Sequence, residues 1–208
     1  MDHAVSRAAV GFTVKSGWAA VVLLTDSSTS PRVADSRRID LSDPSVPESR
    51  QPHHAGFGTA RSRGPDLSRL LRSVRRFGSR SVRGLIDGYT VVGHQLAGAA
   101  VVVGSLADPE GIANEHIRIH ALEGRLFRTV VIEAAVAGGL TCSIWRERDL
   151  YAVAAESLER PEPDLRGVVA AFGRTVDGAW RAEQKAAALA AWLVLASRGR
   201  AARTFHAT

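Results

Sequence analysis

Two apolar, β-branched segments, residues 8–14 and 17–25, follow one another through the short connection Lys-Ser-Gly. A glycine in so short a connection is typical of a β-hairpin, so the pattern predicts two antiparallel strands. Residues 31–41 alternate apolar and polar side chains, which predicts a third strand with one wet face. Three successive short strands favour an antiparallel meander at the start of the fold.

The remainder of the chain alternates between helical and strand patterns. A continuous apolar run at residues 98–105 is typical of a buried strand with neighbours on both sides. A long helix is predicted to start at Asp108-Pro109 and to stop at Gly138-Gly139, and the pattern of residues 85–98 is ambiguous. The other predicted elements are a helix over 66–84, a strand over 140–145, and helices near 149–158, 163–172 and 179–198.

This element order predicts an α/β fold in which one mixed five-stranded sheet carries helices on its faces. The first three strands pair antiparallel, and the strand–helix–strand part adds two parallel strands through right-handed crossovers. We expect residues 1–208 to form a single domain. Residues 42–65 are rich in Pro, Ser and Gly and are predicted to form one long loop, a kind of segment that is usually functional or disordered.

Composition bears on the partners of the chain and on its compartment. The net charge is +6, and only two of the 27 basic residues are lysines, so arginine dominates. Arginine suits bidentate recognition of phosphate, which favours nucleic acid, although a GC-rich genome also favours arginine. A single cysteine and the lack of a signal-peptide pattern predict a cytoplasmic protein. The longest apolar run, residues 186–196, is too short to cross a bilayer.

Four segments, in this order, resemble the ribonuclease-H-like superfamily, and more closely the bacterial resolvase-type nucleases of the RuvC and YqgF groups. The resemblance covers most of the chain and rests on the ordered set rather than on any one piece. The segments are the opening hairpin VGFTVKSGWAAVV, the strand and loop VVVGSLADPEG, the helix–strand–helix IHALEGRLFRTVVIEAAVAGGLTCSIWRERDLYAVAAESL, and the last helix EQKAAALAAWLVL.

The resemblance implies carboxylates at three places, because these nucleases hold two Mg²⁺ or Mn²⁺ ions with oxygen ligands. In this sequence the first-strand acid falls at Thr13. The second acid falls near Ser105 in the RuvC-like register, where it is absent, and at Glu147 in the YqgF-like register, where it is kept. The acid that opens the last helix falls at Lys185, with Glu183 as the nearest alternative. The resemblance therefore implies a resolvase-like protein without the standard metal site.

Two clusters of polar residues are further candidates for chemistry. Glu48, His53 and His54 lie in the 42–65 loop and could bind a transition metal or transfer protons, or could simply be solvated. The second cluster lies on the long helix, where the spacing i, i+4, i+7 predicts one shared face. Its members are His116, His120 and Glu123, and they form either a metal-binding face or a partly exposed helix surface.

Arginines on the helix over 66–84 lie opposite its apolar stripe and are the candidate nucleic-acid contacts: Arg69, Arg72, Arg76 and Arg83. We therefore expect a divergent, non-catalytic, resolvase-like bacterial protein that contacts nucleic acid or a protein partner, including a second copy of itself. One alternative is an active metal-dependent phosphodiesterase that uses displaced groups and Mg²⁺ or Mn²⁺. Those groups would be Glu48, His53, His54, Glu147 and Glu183. The other alternative is a protein-interaction scaffold.

Overall fold

The structure is a computed structural model that describes residues 6–26, 31–56, 59–61 and 63–197. Seven strands and five helices form in these ranges. The strands are β1 (Ser6–Lys15), β2 (Trp18–Thr25), β3 (Arg32–Asp40), β4 (His54–Gly56), β5 (Thr59–Ala60), β6 (His94–Val103) and β7 (Cys142–Arg146). The helices are α1 (Pro65–Val91), α2 (Glu115–Ala137), α3 (Leu150–Ser157), α4 (Glu162–Phe172) and α5 (Ala182–Ala196).

The main sheet has five strands in the order β3-β2-β1-β6-β7. β1 pairs antiparallel with β2, and β2 pairs antiparallel with β3. β6 pairs parallel with both β1 and β7. The predicted α/β architecture, with three antiparallel strands followed by two parallel ones, is confirmed. The carboxyl ends of β1, β6 and β7 consequently meet at one edge of the sheet.

Alternate residues of the central strand face two separate apolar cores. Val10 and Phe12 face a core that is closed by α1 and α2. Ala9 faces a second core that is closed by α3, α4 and α5. Both faces of β1 are buried, so the strand is apolar along almost its whole length rather than alternating.

Helix α5 approaches the sheet unusually closely over Gly11. A Cβ atom at this glycine would lie 1.9 Å from the carbonyl oxygen of Ala187, inside the van der Waals distance. Small residues surround this contact: Ala186, Ala187 and Ala188 are all buried near the start of α5. The contact fixes the start of α5 against the carboxyl half of β1.

Three predicted boundaries are wrong by several residues. Strand β6 begins at His94 rather than at residue 98. Helix α1 continues to Val91 because buried Ile86 and Tyr89 extend its apolar stripe beyond residue 84. Helix α2 begins at Glu115 rather than near Pro109: Asp108 caps a separate 3-10 turn, and the side chain of Asn114 then caps α2 through the amide of Ile117.

The 42–65 segment has more local structure than the predicted loop. It contains a 3-10 turn, Pro47–Arg50, and the small hairpin of β4 and β5. The buried hydroxyl of Ser49 donates to the carbonyl of Asp43 and accepts from its amide, which holds the turn closed. Of the helices in the described ranges, none is long and apolar enough to cross a membrane.

Candidate functional site

Thr13 occupies the first-strand position near the carboxyl end of β1, where the resemblance implies an acid. Its side chain is 1% exposed. The hydroxyl donates to the backbone carbonyl of Glu183, at a distance of 2.8 Å, in the first turn of α5. A neutral hydroxyl thus joins β1 to α5 where a nuclease of this type would place a carboxylate.

Lys15 follows two residues later on the same face of β1, since side chains alternate along a strand. Its ammonium lies 3.3 Å from a carboxylate oxygen of Glu147, in the turn that follows β7. Both side chains are partly exposed, at 35% and 40%. Glu147, the one acid retained from the implied set, is therefore paired with a cation supplied by this chain.

The other implied positions add no carboxylate to this edge. Ser105 is exposed after β6, and its hydroxyl accepts a hydrogen bond from the amide of Ala107. Within the described parts of the chain, no three His, Cys, Asp or Glu side chains are grouped so that they could hold a metal ion together. The donor set at the sheet edge therefore does not fit a two-metal centre.

The loop histidines meet α2 at Glu123, whose carboxylate is fully buried. One carboxylate oxygen accepts a hydrogen bond of 2.7 Å from the backbone amide of His53. The same oxygen lies 3.3 Å from Nδ1 of His54. Among the described residues, the other oxygen has no hydrogen-bond partner. Nδ1 of His53 has none either, although it lies 3.4 Å from the first oxygen. Glu123 thus anchors the loop to the helix, a role that helical spacing alone did not indicate. Glu48 is exposed on the 3-10 turn.

The predicted histidine pair lies one turn earlier on α2. Nε2 of His116 and Nε2 of His120 are 3.2 Å apart, and both residues are exposed. The ring of His54 makes an edge contact with His120, with 5.3 Å between centroids. Partial desolvation lowers the pKa of His120 below its ordinary value, and the neighbouring charges of His116 and His54 lower it further.

Two adjoining pockets share His120. An open pocket of about 670 Å³ is lined by Glu48, Arg50, His54, Arg61, His116 and other loop residues. A smaller pocket of about 340 Å³ is lined by Lys15, Ser105 and the start of α2. Together they connect the histidine cluster with the carboxyl edge of the sheet.

The arginine face of α1 is larger than predicted. Arg75 and Arg80, which the helical pattern did not single out, are exposed together with the four predicted arginines: Arg69, Arg72, Arg76 and Arg83. Arg69 lies 3.9 Å from Asp66, and Arg80 stacks over the ring of Phe77. The remaining four arginines form no ion pair with any residue in the described ranges. Hydrogen bonds from Ser45, and then the charges of Arg76 and Arg80, lower the pKa of Asp43.

Comparison with known proteins identifies similar structures but no similar sequences. No family model matches the chain, and no curated protein matches it. Thermus thermophilus RuvC in complex with a Holliday junction substrate has a TM-score of 0.51 and 14% identity, covering 90% of this chain and 91% of that chain. A second Thermus thermophilus RuvC structure has the same TM-score and coverages, with 9% identity.

A further match, the Aquifex aeolicus member of the Ppx/GppA family, has a TM-score of 0.38 and 10% identity. It covers 73% of this chain and 40% of that chain, and so weak a likeness implies nothing further about this chain. At such low identity the likeness to RuvC establishes the fold alone. The chain has a ribonuclease-H-like fold of the resolvase type.

Proposed function

We propose that this chain binds nucleic acid through the phosphate backbone and does not cleave it by a two-metal mechanism. The observation that carries the proposal is the Lys15–Glu147 ion pair beside buried Thr13. Phosphodiester hydrolysis in this fold needs two divalent cations held by converging carboxylates. Here an ammonium neutralises the retained carboxylate, and a hydroxyl replaces the first-strand acid, so the edge lacks the negative charge with which a nuclease attracts cations.

The arginine face of α1 supports nucleic acid as the ligand. At 100° per residue, Arg69, Arg72, Arg76, Arg80 and Arg83 fall within an arc of about 80°, and they extend over about 21 Å of helix. Duplex DNA presents one phosphate charge per 3.4 Å along each strand. A row of arginines with few acidic partners can therefore follow several phosphates and release their counterions.

The fold adds a second, weaker line of support. The structure of RuvC that this chain resembles is solved with a Holliday junction substrate, which is consistent with a nucleic-acid ligand for the same fold. We extend the proposal to a cytoplasmic protein, in keeping with its one cysteine, and to a bacterial one, in keeping with its likeness to Thermus thermophilus RuvC.

The test compares binding and cleavage in one set of variants. The affinity of the full chain for a duplex, a four-way DNA junction and a single-stranded RNA is measured by fluorescence anisotropy over a range of salt concentrations. The double variant Arg72→Gln/Arg76→Gln removes two charges from α1. The matched control Arg32→Gln/Arg174→Gln removes two exposed charges elsewhere. Cleavage of each substrate is assayed with Mg²⁺ and with Mn²⁺.

For the duplex, we expect the α1 variant to reduce the slope of log K against log salt concentration by about 1.8, or about 0.9 for each lost phosphate contact. The control should change it little, and no substrate should be cleaved. Metal-dependent cleavage that Glu147→Gln abolishes would instead establish the displaced-group phosphodiesterase. Absence of binding to all three nucleic acids would overturn the proposal and leave a protein partner or a second copy of the chain.

A further inference from the structure

The two exposed histidines at the start of α2 are already spaced as a chelating pair. His116 and His120 are one helical turn apart, and their Nε2 atoms are separated by 3.2 Å. Zinc–nitrogen bonds of about 2.0–2.1 Å at tetrahedral angles place two imidazole nitrogens roughly 3.3 Å apart. A metal ion could therefore bridge the pair with little movement of either ring, because both belong to one rigid helix.

Without a metal, the same geometry allows at most one shared proton between the rings. Two protonated imidazoles would repel each other, and two lone pairs directed at each other would also repel. A divalent cation removes the repulsion between the two lone pairs by accepting both of them.

The surroundings leave room for the rest of a coordination sphere. Both histidines line the open pocket of about 670 Å³, so water or an anionic ligand can reach the remaining positions. Glu123 is excluded as a ligand, since it is fully buried and its carboxylate holds the backbone amide of His53. His54 lies beside the pair, but its Nδ1 faces Glu123.

We propose that His116 and His120 form a bidentate site for a divalent first-row transition metal, with Zn²⁺ or Ni²⁺ as the favoured ions. The described residues offer no third His, Cys, Asp or Glu in position, so the protein supplies two ligands and solvent completes the sphere. Imidazole suits these borderline metals better than Mg²⁺, which prefers oxygen. The site adjoins the sheet edge through the pocket that His120 shares with Lys15, but it uses neither Thr13 nor Glu147 and does not depend on nucleic-acid binding.

The test is calorimetric titration of the untagged full chain with ZnCl₂ and NiCl₂ near pH 7.5. The helix variants are His116→Ala and His120→Ala, both at exposed positions that should not affect folding. The controls are His54→Ala and His94→Ala, the latter a histidine that contacts Ser6 instead. Backbone NMR spectra of each variant verify the fold, and the histidine ring nitrogen signals show which rings take up the metal.

We expect one metal ion per chain, with shifts confined to the Nε2 signals of His116 and His120. Either helix variant should lower the metal affinity by more than about tenfold. Removing a residue that only orients a metal ligand already lowers the affinity by about 10–100-fold, and these variants remove a ligand itself. Both controls should bind as the original chain does. The proposal is overturned if both helix variants bind normally, if His54→Ala alone abolishes binding, or if no metal binds.

Discussion

The ammonium of Lys15 lies 3.3 Å from the carboxylate of Glu147. This ion pair joins the carboxyl end of β1 to the turn that follows β7. β6 lies between these two strands, so their axes are about 10 Å apart and only a long side chain can make the connection. The pair occupies the edge at which this fold brings the carboxyl ends of its parallel strands together. It makes that edge nearly neutral instead of strongly negative.

Restoring the first-strand acid should therefore harm the protein. Thr13→Asp would bury a carboxylate that faces the carbonyl oxygen of Glu183, and we expect a loss of about 3–5 kcal/mol in the free energy of unfolding at neutral pH. Thr13→Val loses only the hydrogen bond to that carbonyl, worth about 1 kcal/mol. Urea unfolding followed by circular dichroism measures both.

Repeating the unfolding measurement of Thr13→Asp with Mg²⁺ tests whether the edge of the sheet can still bind a metal ion. We expect added Mg²⁺ to leave the stability of Thr13→Asp unchanged, because the retained acid Glu147 is already paired with Lys15. Burial raises the pKa of a carboxyl group, so the deficit should shrink as the pH falls and the new side chain becomes neutral. A Thr13→Asp protein that is as stable as the original and is stabilised further by Mg²⁺ would show that the edge still accepts a metal.

The contact between Gly11 and α5 gives a second prediction. In Gly11→Ala the added methyl group would lie 1.9 Å from the carbonyl oxygen of Ala187, which is backbone and cannot rotate away. We expect the free energy of unfolding to fall by about 3 kcal/mol, at the upper end of the usual cost of overpacking.

Gly84→Ala is the matched control for this substitution. Gly84 is exposed in the interior of α1. Apart from its chain neighbours and the nearby helix backbone, no atom of the described residues lies within 4 Å of the position that its new methyl group would take. Alanine there should stabilise the protein by about 0.5–1 kcal/mol. Equal effects of the two substitutions on the urea midpoint would contradict the close packing of α5 on β1.

The order of the strands was predictable because each strand carries a local signal. The hairpin glycine, the alternation in β3 and the apolar run in β6 are properties of neighbouring residues. The end of α1 was not predictable from Gly84 and Gly88, which suggest a stop. Tertiary burial of Ile86 and Tyr89 overrides that local preference.

Some features of the candidate site were likewise predictable from the sequence, and others depend on the tertiary structure. The missing acids at Thr13 and Lys185 are visible once the fold is aligned. The pairing of Lys15 with Glu147 depends on strand order across 132 residues, although the position of Lys15 two residues after Thr13 was a signal for it. Helical spacing placed Glu123 on one face with the histidines. Its complete burial depends on how the loop folds back, which no local pattern encodes.

Glu123 should therefore control the order of the 47–56 segment. Glu123→Ala removes the acceptor of the part-buried His53 amide, and leaving that amide unpaired should cost about 1–3 kcal/mol. Glu123→Gln keeps a carbonyl oxygen that can accept the same hydrogen bond, so its effect should be smaller. Amide hydrogen exchange at His53 is the measurement. Exchange in the alanine variant at the original rate would show that the carboxylate does not hold the loop.

Cys142 should be unusually unreactive for the one thiol of the chain. Burial raises its pKa to about 12, from an ordinary value of 9.0. The thiolate is the nucleophile, so a shift of about three units leaves roughly a thousandfold less of it near neutral pH. Alkylation of the native protein by iodoacetamide should be slower by about that factor than alkylation of the same chain in urea.

The pH dependence separates a shifted pKa from simple shielding of Cys142. Because the native pKa lies far above the experimental range, the native rate should rise about tenfold for each pH unit from 7 to 10. The rate in urea should level off above about pH 9, once the ordinary thiol is ionised. A native rate that also levels off near pH 9 would mean that the thiol ionises normally and that only access limits its reaction.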